Sequence, residues 1–283
     1  MIQSIAVCGA GTMGAGIAQV AASSGFTTIL FDIEAGMLER ARAQIEKSLG
    51  AALEKGRLTA ADKESIIRRI SFTSRIEDCI TEVVIEAIVE KLTAKTALFN
   101  QLAEINHSET IFATNTSSLS VSAIAASVAV NPSRVAGMHF FNPAHVMKLV
   151  EVVSGTQTAA HTADTIYALA QQMGKTPVHV KDSPGFIVNR VARHYYLEAM
   201  RIAEQGLADF STIDHLLESA GFRMGPFALM DLIGNDVNLA VSQSLYEAFD
   251  HAPRFKPNVL QEQRVKEGKL GRKTGLGFYR YEK

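Results

Sequence analysis

The residues Ile5-Ala6-Val7-Cys8 lead directly into Gly9-Ala10-Gly11-Thr12-Met13-Gly14, so an apolar strand is predicted to end in a G-x-G-x-x-G turn that opens a helix. Each glycine has its own task. Gly9 permits the tight turn, Gly11 lets a pyrophosphate approach the backbone, and Gly14 lets the helix lie against the strand. Free N–H groups at the helix N-terminus then hold phosphate. The same turn can also serve as a plain strand-to-helix connection, so its surroundings decide. Residues Ile17 to Ala22 have helix-forming composition and stop near Gly25, Thr27 to Phe31 read as a second buried strand, and Asp32 closes that strand. There its carboxylate can accept the ribose hydroxyls of a dinucleotide and repel a 2′-phosphate. Gly9, Gly11, Thr12, Met13, Gly14 and Asp32 are therefore candidate contacts for NAD rather than NADP.

The pattern beyond Asp32 extends this unit. Met37, Leu38, Ala41, Ile45, Leu49 and Leu53 recur at helical spacing, and Thr59 opens a second helix, giving a helical hairpin inserted into the sheet. Strands are predicted near residues 70–72, 83–87, 111–114 and 135–138, with helices near 92–105 and 120–127. Such alternation specifies a Rossmann-type α/β, doubly wound sheet. Two more strands, near 149–153 and 176–180, flank a helix ending at Gly174. From Pro184 the pattern is helical, with segments at 186–205, 213–220 and 237–249. The expected organisation is a nucleotide-binding domain over 1–183 and an all-α C-terminal domain over 184–283 that lines the substrate cleft and dimerises.

With 283 residues, 47% of them apolar, and a net charge of −1, the chain has material for two cores and no basic field for nucleic acid or an anionic membrane. Cys8 and Cys79 fit no metal or C-x-x-C spacing and read as reduced thiols of a cytoplasmic protein. The first strand begins within a few residues of Met1, and no leader or membrane span is expected.

Chemistry is expected just past the strand ends. If residues 138–142 and 148–153 form an antiparallel hairpin centred on His145, His139 and Glu151 stand directly opposite, within reach of an imidazole–carboxylate hydrogen bond. That arrangement suits a base that takes a hydroxyl proton as hydride leaves the adjoining carbon. His139 alone reads equally as a strand-end histidine packed on Phe140 and Phe141, and His179 as a packing or surface residue. Ser117 reads as the N-cap of the following helix. Asn189, poorly suited to a helix interior, points to a specific partner. The tail Gly271 to Gly275 lacks the glycine spacing of a phosphate loop.

In combination, Gly9 to Gly14, Glu86-Ala87-Ile88-Val89-Glu90, Asn115-Thr116-Ser117-Ser118, His139-Phe140-Phe141-Asn142-Pro143, Lys148 to Val152, Asp182 to Arg190 and Gly271 to Gly275 resemble the 3-hydroxyacyl-CoA dehydrogenases, particularly the short bacterial 3-hydroxybutyryl-CoA type. The resemblance runs from end to end. It implies His139 as general base, Glu151 as its orienting partner, and Ser117 and Asn189 as donors to the substrate oxygens. It further implies NAD contacts at Asp32, Glu90, Lys95, Ser117, Asn142 and Lys273, and coenzyme A contacts at Ser48, Lys55 and Ser117. The implied activity is reversible NAD-dependent oxidation of an (S)-3-hydroxyacyl-CoA by a homodimer. Competing readings are a 3-hydroxyadipyl-CoA dehydrogenase, a free sugar-acid dehydrogenase and a non-catalytic NAD-binding protein.

Overall fold

The computed structural model describes residues 2–129 and 131–282, which fall into two compact units, one ending at Ser183 and the other beginning at Pro184. The first is built on one eight-stranded sheet. Its strands are β1 (Ser4–Cys8), β2 (Thr27–Phe31), β3 (Ile70–Thr73), β4 (Val83–Glu86), β5 (Ile111–Thr114), β6 (Val135–Phe140), β7 (Leu149–Ser154) and β8 (Thr176–Lys181). They lie in the order β3-β2-β1-β4-β5-β6-β7-β8, and every neighbouring pair is parallel except β6 with β7. The order reverses between β1 and β4. In open sheets of this kind a dinucleotide lies across that point, one mononucleotide on each half.

Residues of one strand alternate between two cores. Ile5 and Val7 of β1 face a cluster that includes Ile17, Ala18 and Ala21 of α1 (Thr12–Ser23), whereas Ala6 and Cys8 face Leu98, Phe99 and Leu102 of α4 (Leu92–Ile105). Burying both faces explains why β1 and β4 read as continuous apolar runs. A fully buried side chain such as Phe99 contributes about 1.5–3 kcal/mol. The inserted hairpin is α2 (Ala35–Glu54) followed by α3 (Ala60–Arg68). Leu38, Ala41, Ile45 and Leu49 form the buried stripe of α2, and Thr59 with Asp62 closes a capping box at the start of α3. Two further helices, α5 (Val121–Ser127) and α6 (Ala160–Gln172), complete the unit. Both cysteines are buried and free, and the hydrogen bond with Cys79, together with burial, pushes the Cys8 thiol up.

The second unit consists of α7 (Val188–Glu204), α8 (Phe210–Ser219), α9 (Pro226–Ile233), α10 (Asn235–Ala248) and α11 (Val259–Lys266) around Tyr196, Leu197, Met200, Phe227, Met230 and Phe278. Short helices α9 and α11 were not expected from the sequence. The C-terminal tail turns through one short 3-10 helix (Arg272–Thr274), and isolated bridges join Gly271 to Leu276 and Leu276 to Arg280. Two buried carboxylates hold it in place. Asp231 accepts hydrogen bonds from the Phe278 and Tyr279 amides and from the Tyr281 hydroxyl, and Asp214 accepts one from the Tyr279 hydroxyl. Among the described residues no helix is long and apolar enough to cross a membrane.

Candidate functional site

The turn after β1 has the shape that its glycines require. Gly9 has φ +105°, and a Cβ on it would lie 2.5 Å from the Ala87 carbonyl oxygen. A Cβ on Gly14 would lie 1.7 Å from the Gly9 carbonyl oxygen, so helix and turn touch directly. Around Gly11 a Cβ would meet nothing within 4 Å, which leaves the backbone open to a pyrophosphate. No side chain caps the N-terminus of α1, where Thr12 and Met13 stand, and its first turn holds no acidic residue. These features fit a bound dinucleotide phosphate. Asp32 lies beside the turn, its Oδ2 accepting from the Ala10 amide at 2.7 Å and its Oδ1 from the Glu34 amide at 3.0 Å. A carboxylate fixed in this way keeps lone pairs for ribose hydroxyls.

On the other half of the sheet, a charged chain runs from the interior to the strand ends. Glu86, fully buried at the end of β4, accepts from Lys95 at 2.6 Å, the Ile88 amide at 2.7 Å and the Thr114 hydroxyl at 2.7 Å. Lys95, also buried, reaches Glu90 at 3.1 Å. Glu90 gathers the loop after β5, accepting from the Thr116 hydroxyl and from the amides of Ser117 and Ser118 at 2.6, 2.9 and 3.0 Å. Burial pushes its carboxyl up, but the Lys95 charge and the hydrogen bonds from Thr116, Lys95 and Ser117 outweigh that and hold it at about 2. Ser117 is thus placed by its amide and is not a helix cap. That task falls to Ser120, whose hydroxyl accepts from the Ala123 amide at 3.1 Å, because Thr116 to Ser118 are committed to Glu90.

His139 and Glu151 are directly paired across β6 and β7, in the register expected from the hairpin centre. His139 Nδ1 lies 2.8 Å from Glu151 Oε2, and both residues are buried. The imidazole also meets the Phe141 ring edge-on at 4.6 Å, so packing and pairing coexist. The Phe140 amide donates to Asn115 Oδ1 at 2.8 Å, tying β6 to the Ser117 loop. Past β6, Asn142 is exposed, and the turn that carries it is held by Lys175, whose Nζ donates to the carbonyls of Ala144 and Met147 at 2.5 and 2.9 Å. His179, by contrast, stacks on Tyr167 at the surface.

A groove of about 820 Å³ lies between α1, the end of α2 and the turns after β6 and α6. Ser48, Lys55, Lys47, Arg57, Lys148 and Lys175 line it with His145, and among the described residues no carboxylate does. Burial, then the nearby Lys175 charge, pushes the His145 imidazole down; burial, then Lys148, pushes the Lys175 ammonium down. Such a wall favours an anion. Ser48, half-buried, accepts from the Gln19 side chain at 3.1 Å.

In the helical unit, Asn189 stands half-buried in the first turn of α7, and Lys273 makes an ion pair with Asp236 at 2.6 Å. Glu86 entered the sequence analysis only as part of a motif, and neither it nor Lys175 or Asp236 was given a role there. For Glu86 a signal existed, since an acidic residue ends the otherwise apolar run Val83-Val84-Ile85.

Residues 4–183 match the family described as "3-hydroxyacyl-CoA dehydrogenase, NAD binding domain", and residues 185–281 match "3-hydroxyacyl-CoA dehydrogenase, C-terminal domain". The chain is 50% identical over 280 residues to the 3-hydroxyadipyl-CoA dehydrogenase of Escherichia coli K12, covering 98% of this chain but only 59% of that protein's length. To the 3-hydroxybutyryl-CoA dehydrogenase of Clostridioides difficile it is 42% identical over 281 residues, 99% of both chains. The crystal structure of the (S)-3-hydroxybutyryl-CoA dehydrogenase of Ralstonia eutropha superposes with a TM-score of 0.94 at 40% identity, covering 100% of both chains. The chain belongs to the 3-hydroxyacyl-CoA dehydrogenase family, its first unit being that family's NAD-binding domain.

Proposed function

We propose that this protein catalyses the reversible oxidation of (S)-3-hydroxybutyryl-CoA to acetoacetyl-CoA with NAD. The observation that carries this reading is the buried Glu151 opposite His139, 2.8 Å from its Nδ1, at the carboxyl edge of a sheet that also presents the phosphate-binding turn. Bound NAD supplies the hydride acceptor. With Nδ1 donating to Glu151, His139 takes the substrate hydroxyl proton at Nε2, and the carboxylate stabilises the imidazolium that forms. Ser117 and Asn189 are read as donors to the substrate oxygens. Glu90, Lys95, Asn142 and Lys273 are assigned to the cofactor with Asp32, and the glycine turn takes its pyrophosphate.

The groove supports a coenzyme A thioester over a free hydroxy acid. Lys47, Lys55, Arg57, Lys148 and Lys175 with no acidic lining residue suit a ligand carrying several phosphates. Ser48 and Lys55, assigned to coenzyme A by resemblance, are both on its wall. Large apolar side chains left exposed on the helical unit, Val191, Leu216 and Phe222, support assembly as a homodimer, and the two free thiols suit a reducing cytoplasm.

The test is NADH consumption with acetoacetyl-CoA, run beside NADPH, free acetoacetate and 3-oxoadipyl-CoA. Turnover confined to NADH and the four-carbon thioester is expected. Faster turnover of the dicarboxylic thioester would reassign the acyl group, and no thioester turnover would overturn the proposal.

A further inference from the structure

Glu86, Lys95 and Glu90 form one connected cluster in which two carboxylates share one ammonium. Among the described residues Lys95 is the one cation within ion-pair distance of either acid. It lies closer to Glu86, at 2.6 Å against 3.1 Å for Glu90, and Glu86 and Lys95 are both sealed from water. Glu90 is therefore the less closely compensated of the two carboxylates, and its side chain remains 35% exposed at the carboxyl edge of the sheet. Its hydrogen bonds from Thr116, Ser117 and Ser118 fix that charge in place.

Position gives the charge a consequence. β1, β2 and β3 lie on one side of the reversal in strand order, with Asp32 and the glycine turn. β4, β5 and β6 lie on the other side, the half that receives the second mononucleotide, and Glu90 follows β4 there, with His139 on β6. The nicotinamide ring is a cation when oxidised and neutral when reduced. A fixed negative charge beside it acts on one form only, and a ligand equilibrium shifts by such a differential interaction alone.

We propose that Glu90 is a specificity-determining residue for the oxidation state of the cofactor: the charge that Lys95 leaves uncompensated favours NAD+ over NADH. This rests on the NAD-dependent reading above. Contacts that Glu90 makes to the ribose or to the Ser117 loop serve both forms equally and cancel in the ratio of the two affinities.

The test compares dissociation constants for NADH, by its fluorescence, and for NAD+, by displacement of NADH. Glu90→Gln keeps the size of the side chain and one of its two acceptor oxygens while removing its charge. It should weaken NAD+ about threefold to tenfold more than NADH. Ser118→Ala, which leaves the charge in place, should not change the ratio. Wild-type protein gives an independent reading, since its preference for NAD+ relative to NADH should decline as ionic strength rises. Equal weakening of both forms by Glu90→Gln, or a salt-independent ratio, would overturn the proposal while leaving the dehydrogenase reading intact. Failure of the wild type to bind either form would instead overturn the NAD-dependent reading itself.

Discussion

His139 and Glu151 oppose each other across the one antiparallel pair of the sheet, and the 2.8 Å contact between Nδ1 and Oε2 follows from that register. A one-residue slip of β7 would turn Glu151 to the opposite face, so sheet pairing itself fixes which imidazole nitrogen meets the carboxylate. Glu151→Gln preserves the shape but gives Nδ1 no anion. The expected outcome is a kcat lower by about 100-fold or more with little change in NADH affinity. Steady-state kinetics combined with NADH fluorescence titration checks this. A kcat near that of the wild type would remove Glu151 from the acid–base pair.

Asp32 uses one oxygen on the Ala10 amide and the other on the Glu34 amide, which sets its carboxylate beside the glycine turn. Asp32→Asn keeps one acceptor and loses the charge that repels a 2′-phosphate. The ratio of kcat/KM for NAD to that for NADP should fall about tenfold. Rates measured with both cofactors decide it, and an unchanged ratio would refute the ribose role.

The alternation of strands and helices was legible because the central strands β1, β4 and β5 are short apolar runs ended by a turn. The His139–Glu151 pairing was legible because a hairpin centre fixes every cross-strand partner. Ser117 was misread as a cap because several hydroxyls lie close together in the sequence, and only the position of Glu90 shows which of them are already engaged. The basic groove was hidden for a different reason: α1, α2 and two distant turns each give it a few residues, and no local pattern records their meeting. Helices α9 and α11 have eight residues each and, unlike the seven-residue α5, do not lie between strands whose alternation would mark them.

The groove provides a test of substrate class that is separate from chemistry. Lys55→Glu places an acid on a wall that has none. KM for acetoacetyl-CoA should rise about tenfold, more at low salt than at high, with kcat and the KM for NADH little altered. An unaffected KM would place the coenzyme elsewhere.

Glu90 also links stability to pH. Its carboxyl is held at about 2 in the folded protein, against about 4.3 in an unfolded chain. Because the folded value is depressed, the stabilising contribution is complete above the unfolded value and is lost as pH falls through the folded one. Thermal melts of wild type and Glu90→Gln should therefore differ most near neutral pH and converge between about pH 4 and pH 2. A gap that stays constant over this range would show that the charge of Glu90 contributes nothing to folding.

In the helical unit Asp231, only 1% exposed, receives the amides of Phe278 and Tyr279, the Tyr281 hydroxyl and the Asn235 side chain. Asp231→Ala would strand the two backbone donors inside the protein and release the segment that carries Lys273. The loss of stability should reach about 3 kcal/mol, since each unpaired buried donor costs about 1–3 kcal/mol. Urea unfolding measures it, and limited proteolysis should cut the variant first between Lys269 and Arg280. Lys273 is assigned to the cofactor, so NADH affinity should fall with tail order even at temperatures where the helices remain folded. A loosened tail with unchanged NADH binding would separate Lys273 from the cofactor while leaving the role of Asp231 as the tail's anchor in place.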